Sequence, residues 1–357
     1  MRRYVRWLAL ASGALAFGLA GWLLASVIPK ADGNVASAAG PRSQGHSAVH
    51  RSGSSARDGG GDIRERTCPR PSQQPASGAT RLCPLSVTTT SLPSATLGTR
   101  YAVPTLTVSG GVAPYTWSVS DRTLPPGLSL SPAGVIAGRA VLAGTFDFSV
   151  RAADSAGDTA TANLSIAVGG CTTTITGARN RPLTIGAGVT CLDQATISGP
   201  LEITAGAVVS IQASTLGGPV SVHGPAALAV CGSTVSGPAS VTGAAGPVLL
   251  GVANGTPCTA DTITGLVTLT GDTGGVTMGG ATISGPAYIA GNGGPVTVSG
   301  NTIGGPASII GNTGGTLVAG NSVNGPLSCS GGNPAPTDGG KPNTSNGPAA
   351  DQCADMT

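Results

Sequence analysis

Charged and aromatic side chains are both scarce in this chain. Only 9% of its 357 residues are Asp, Glu, Lys or Arg, and only 3% are Phe, Trp or Tyr. So few aromatics argue against a conventional large core, and small residues take their place, with 58 glycines. From Pro182 to Gly340 there is no Lys or Arg at all. Phosphate contacts need cations, so no nucleic-acid partner is expected for that half. The same stretch has no helix-forming run, which leaves strands as its building unit. Histidine is limited to His46, His50 and His223, and no Cys-x-x-Cys occurs. A zinc site is therefore the weaker alternative for the cysteines; no metal and no cofactor are expected.

What charge there is divides unevenly. Residues 1–84 hold eleven Lys/Arg against four Asp/Glu, whereas residues 85–357 hold seven against eleven. Arg2, Arg3 and Arg6 precede an uncharged run from Trp7 to Pro29. A positive start followed by an apolar stretch is an export signal. The run is long enough to remain as a membrane anchor through residues 7–29 if uncleaved, and Ala36-Ser37-Ala38 offers a small-residue cleavage site. Residues 31–84, rich in Gly, Ser and Ala with no hydrophobic period, read as a flexible basic linker.

The strongest pattern lies further on. Phrase-opening glycines stand at 199, 218, 237, 265, 285, 305, 325 and 347, close to every twenty residues. A short period without helix signals a solenoid whose turns are built from strands. Aligned on those glycines, three inward columns emerge: Ile203 to Cys329 four residues after, Leu201 to Leu327 two after, and Ile197 to Val323 two before. A third wall reads Val276-x-Met278, Val296-x-Val298 and Thr316-x-Val318. Like residues should stack roughly 4.8 Å apart in successive coils. Gly-Asn pairs such as Gly291-Asn292 and Gly300-Asn301 read as corners needing positive φ. Proline after the phrase glycine suits the first position of a strand. The reading is a parallel β-helix of seven or eight coils, with right-handedness expected from the crossover rule. The one 28-residue interval carries an excess loop around Gly251–Pro257.

Eight cysteines allow 105 pairings, but they fall as near neighbours, and the repeat places Cys231 and Cys258 on adjacent coils and Cys171 and Cys191 one coil apart. The expected disulfides are Cys68–Cys83, Cys171–Cys191, Cys231–Cys258 and Cys329–Cys353, stapling the solenoid's ends and its inserted loop. Disulfides imply an oxidising, extracytoplasmic location.

Residues 85–168 alternate apolar and polar residues in short runs between Gly/Pro turns, the pattern of a small β-sandwich. The segment contains Gly110-Gly111-Val112-Ala113-Pro114-Tyr115-Thr116-Trp117, then Leu124-Pro125-Pro126-Gly127-Leu128, Gly134-Val135-Ile136-Ala137-Gly138, Ala143-Gly144-Thr145-Phe146-Asp147-Phe148 and Asp154-Ser155-Ala156-Gly157. This succession resembles the putative-Ig (He-PIG, cadherin-like) family of bacterial surface and secreted proteins. The resemblance implies an immunoglobulin-like spacer or adhesive module without catalysis, in which Trp117, Phe146 and Phe148 belong to the core. Related cadherin-like modules bind calcium, but Asp121, Asp147, Asp154 and Asp158 are dispersed without a DxD-type cluster. The chain's end, from Asn321 through Cys329 to Asp351-Gln352-Cys353, is similar to C-terminal segments of exported actinobacterial proteins.

The expected organisation is all-β: a signal peptide or N-terminal membrane anchor (1–30, a hydrophobic helix), a flexible basic linker (31–84), an Ig-like sandwich (85–168) and a disulfide-capped parallel β-helix (169–357). Chemistry has few candidates in it. Polysaccharide lyases and hydrolases need clustered or paired carboxylates. The solenoid offers Glu202, Asp261 and Asp272 on different coils, and a Glu202/His223 pair facing outward on neighbouring coils. Without a second carboxylate that pair is a weak catalytic candidate. The most regular polar feature is a hydroxyl column of Thr196, Thr215, Thr234, Thr262, Thr282, Thr302, Ser322 and Thr344. Two residues earlier the column reads mostly Gly and Ala, so a single hydroxyl file is expected rather than the doubled threonine array of an ice-binding face. The expectation is a non-enzymatic surface protein that is structural, adhesive or displaying. A binder, or less favourably a cleaver, of extracellular polysaccharide is the alternative, with envelope polysaccharide or surface proteins as partners.

Overall fold

A computed structural model describes residues 83–102, 105–251 and 258–357. The expected leader or anchor with its helix, nearly all of the basic linker, Cys68, and residues 252–257 of the inserted loop lie outside the described residues. Among the described residues every regular element is a strand.

The Ig-like part is a sandwich. One layer orders Ala95–Thr96, Thr159–Gly169, Gly144–Ala153 and Thr116–Asp121 side by side. The other orders Arg100–Ala102, Ile136–Arg139 and Leu128–Leu130. Gly144–Ala153 reads GTFDFSVRAA, and strict alternation turns Phe146, Phe148 and Val150 inward. Its antiparallel partner supplies Leu164, Ile166 and Val168 to the same core. Trp117 is buried beside them as the resemblance implied. Gly134 lies against its ring: with φ at +85°, an added Cβ would stand 2.7 Å from the indole nitrogen.

Asp154 ties two loops of this domain together. One carboxylate oxygen accepts the Val112 N–H at 2.8 Å, and the other accepts those of Ala156 and Asp158 at 3.0 and 2.9 Å. These bonds hold its pKa below the ordinary aspartate value. Its role is local structure.

The C-terminal part is a β-solenoid of about nine turns, one or two more than the repeat count suggested. The first wall is made of two-residue strands such as Thr282–Ile283, the second of four-residue strands such as Ala287–Ala290, and the third of strands such as Val296–Ser299. All pair in parallel from coil to coil. In the second wall Ile203, Val222, Val241, Leu269, Ile289, Ile309 and Cys329 stand in one register. In the first, Ile197 to Val323 do the same. These columns fill the interior.

Two kinds of glycine make the corners possible. At the phrase glycines the reason is close approach, because successive Gly-Pro corners stack backbone on backbone. A Cβ on Gly305 would lie 2.9 Å from Pro286 N. At Gly291 and Gly300 the reason is φ, at +65° and +64°. The asparagines after those glycines are not positive-φ residues, contrary to the sequence expectation. They are buried and hydrogen-bonded across coils. Asn301 Nδ2 donates to Asn321 Oδ1 at 2.9 Å and to the Met278 carbonyl at 2.9 Å, and Asn321 repeats this with Asn343 and Val298. A second ladder runs through Asn292 and Asn312. Each amide satisfies corner N–H and C=O groups that would otherwise be orphaned inside the protein.

Three sequential disulfides are present: Cys171–Cys191, Cys231–Cys258 and Cys329–Cys353. Cys83 is also disulfide-bonded; Cys68, its expected partner, lies outside the described residues. The three described bridges indicate an oxidising, extracytoplasmic environment. Cys329 and Cys353 are fully buried at the C-terminal end of the solenoid core.

The sandwich and the solenoid are not beads on a string. Both belong to one compact unit, and a single hydrophobic cluster joins them. It contains Leu97, Val141 and Leu142 of the sandwich together with Val208, Ala227, Ala229 and Leu249, which face outward from the third wall. Gln212 Nε2 donates to the Ala143 carbonyl at 3.1 Å at the edge of this contact. Strands buried on both faces lose polar alternation, and Ala227–Cys231 reads ALAVC accordingly. Farther along the wall the same outward position is held by Thr277 and Thr297, beyond the covered coils.

Candidate functional site

The surface left over is the outside of the first and second walls and of the later coils of the third, and the hydroxyl file runs the length of the first. Thr196, Thr215, Thr234, Thr262, Thr282, Thr302, Ser322 and Thr344 are paired in register from coil to coil, and each is exposed. The file is doubled, whereas the Gly and Ala residues upstream predict a single one. The residue two places later also faces out, and it is Ser198, Ser236, Thr264, Ser284, Asn324 or Asn346 in six of eight coils, with Gly217 and Gly304 in the others. Side chains two apart on a strand share a face, downstream as well as upstream. An exposed proline ridge (Pro200, Pro219, Pro238, Pro286, Pro306, Pro326) borders the doubled file.

Glu202 and His223 do face outward from the second wall. Their register makes them diagonal neighbours: Glu202 pairs with Ser221, and His223 with Thr242. No hydrogen bond joins them among the described residues. The other two solenoid carboxylates are not on the surface at all. Asp261 and Asp272 are fully buried in the polar ladders. Asp261 accepts the N–H groups of Ser233 and Gly251. Asp272 accepts that of Ala244 with one oxygen, while the other has no partner. Burial pushes both up to about 6, against the hydrogen bonds they accept. Neither can meet a polymer outside the solenoid. In-register asparagines about twenty residues apart are the sequence signal for these ladders, although in the sequence they read as turns and Asp261 and Asp272 as carboxylates on separate coils.

Two further surface features were not anticipated. Leu266, Tyr288 and Ile310 are exposed to 40, 40 and 36% and step diagonally across three consecutive coils. A groove of about 430 Å³ lies on the third wall between Leu317 and Ala319 and the Asp338–Lys341 loop. Lys341 is the only Lys or Arg after Arg181. Among the described residues no group of three or more His, Cys, Asp or Glu could hold a metal ion. No described helix is long and apolar enough to cross a membrane.

No curated protein matches the chain. Among solved structures, a crystal structure of a putative alpha-galactosidase/melibiase from Bacteroides fragilis is similar at 24% identity and a TM-score of 0.20. The likeness covers 25% of this chain and 19% of that one, and so carries no argument about fold or activity. The Ig-like segment is matched directly: residues 84–169 fit the He_PIG family model, described as a putative Ig domain.

Proposed function

We propose that this is an exported protein of the cell surface whose role is structural, adhesive or displaying, without catalysis. The observation that carries the reading is the fusion of an Ig-like module to the flank of a disulfide-stapled solenoid. Rigidity of that kind suits a spacer that holds a surface at a fixed distance. The doubled polar file gives such a rod a long neutral face, and neutral polymers are its natural counterpart. Binding to extracellular polysaccharide through that face is the second reading, favoured by the registered hydroxyls. The N-terminal segment acts either as a cleaved signal or, retained, as the membrane anchor through residues 7–29.

The test is localisation of the full chain in its native host. Protease shaving of intact cells should remove it, and fractionation should find it outside the cytoplasm. A chain protected in the cytosol sinks the reading. Catalysis is tested separately by incubating the purified protein with polysaccharides. Product release abolished by Glu202→Gln would overturn the non-enzymatic assignment.

A further inference from the structure

A trough of about 450 Å³ crosses the outer face of the four-stranded layer of the Ig-like domain. Register builds it. Asp121 stands opposite Ser149, which stands opposite Asn163, while Asp147 stands opposite Ser165 in the adjoining row. Paired residues on one face of a sheet lie close enough to share a ligand. Three strands set side by side give the rows a span of roughly 10 Å. Thr90, Ser91 and Leu92, on the segment leading to the edge strand, close one end; Arg122 closes the other.

Two backbone irregularities put the charged groups there. The pairing slips between Val119 and Asp121, a bulge that re-aims the end of the strand. The next residue, Arg122, holds φ at 57°, a conformation side-chain-bearing residues rarely adopt. The charges so placed do not neutralise one another. Among the described residues the side chains of Asp121, Asp147 and Arg122 form no ion pair and no hydrogen bond, and the Asn163 side chain uses only its carbonyl oxygen, as acceptor for the Ser149 hydroxyl at 2.7 Å. Two carboxylates, a guanidinium, an amide NH₂ and the hydroxyls of Thr90, Ser91 and Ser165 all remain free to meet a ligand.

We infer that this trough binds a neutral saccharide of about two rings. The lining presents strong acceptors and strong donors side by side, which is what vicinal hydroxyl groups engage, each both giving and taking a hydrogen bond. Polyanions are disfavoured by the two carboxylates. A divalent cation lacks a third carboxylate and would sit beside Arg122. Phe148 and Leu164 contribute only the floor, because their side chains are buried in the core. Affinity therefore rests on hydrogen bonds rather than on stacking. The inference deepens the adhesive reading and rests on it, since saccharide is the chemistry a surface protein encounters.

The test uses the purified full chain, titrated with cellobiose, maltotriose, N,N′-diacetylchitobiose, a galacturonate trimer and calcium chloride by calorimetry and by chemical-shift mapping. Saturable binding of at least one neutral sugar is expected. Asp121→Ala, Asp147→Ala and Arg122→Ala should each weaken it by about tenfold or more, the loss of a charge-assisted hydrogen bond. Asp193→Ala, an exposed solenoid position away from the trough and from the hydroxyl file, should leave it unchanged. All of these positions are exposed, and unchanged circular dichroism would confirm that each variant folds. The inference is overturned if no neutral sugar saturates, if the trough variants bind as well as wild type, or if only calcium or the anionic trimer binds. Cytoplasmic localisation would remove the surface role but leave sugar binding intact, so the two failures are distinguishable.

Discussion

The side-chain oxygen of Asn292 accepts the backbone N–H of Asp272 across one coil, at 2.9 Å. Asp272 in turn accepts the N–H of Ala244 on the coil before, at 2.7 Å. An aspartate thus occupies a rung that asparagine fills elsewhere, but it has no NH₂ to offer the carbonyl that asparagine reaches. Asn292 spends that group on Leu269 and Asn312. The second Asp272 oxygen is left buried and unpaired.

A pH dependence follows from the two ladder aspartates. Their folded pKa values, about 6, lie above the unfolded value. The folded state therefore binds the proton more tightly, and stability falls as pH rises from about 4 through 6. Asp272→Asn should abolish its share of that fall and raise stability at pH 7.5 by roughly 2–3 kcal/mol, the size of the pKa difference. Asp261→Asn should be destabilising instead. Its carboxylate accepts two N–H groups, and an amide would set a donor against one of them. Thermal melts of both variants between pH 4 and 8 decide; equal behaviour of the two would refute this account of the ladders.

Leu249, 2% exposed, is held between the solenoid wall and the sandwich. Leu249→Asp buries an unpaired charge there and should cost about 3 kcal/mol or more. Wild type should melt in one transition. The variant should show two, together with new proteolytic cleavage near Gly169–Gly170. Two transitions already in wild type would mean that the two parts are not energetically coupled.

The corner glycines separate by mechanism. Gly305→Ala forces a Cβ to 2.9 Å from Pro286 N, an overpacking that should cost about 1–3 kcal/mol. Gly293→Ala meets nothing within 4 Å and has no positive φ. It should be neutral or stabilising by up to about 1 kcal/mol, through the unfolded state. Denaturant midpoints of the pair provide the comparison.

The Cys329–Cys353 bridge closes a loop of 24 residues, worth about 3 kcal/mol in chain entropy. Cys353→Ser should loosen the last coil first. Hydrogen exchange should speed up at Leu327–Ser330 and Ala349–Asp351 while coils near Ile203 stay protected. Uniform acceleration along the solenoid would contradict a local cap.

Much of the solenoid was legible because each column is a one-dimensional statement. Residues twenty apart must stack, so Ile197, Leu216 and Val235 could be aligned without coordinates. The ladder asparagines were equally periodic. Asparagine after glycine is also a turn signal, and burial alone tells a ladder residue from a turn residue. The same limit applied to Asp261 and Asp272, whose spacing gave no sign that they lie inside.

The sequence by itself determined the repeat, its inward columns, the near-neighbour cysteines and the Ig-like segment, since each is written in local spacing and in side-chain period. Only the tertiary structure decided that the sandwich lies against the third wall, and that Asp121, Ser149 and Asn163 share one row. Both depend on which strand faces which across a long separation. Alternation fixes the face of a residue on its own strand, but the partner opposite it is chosen by packing.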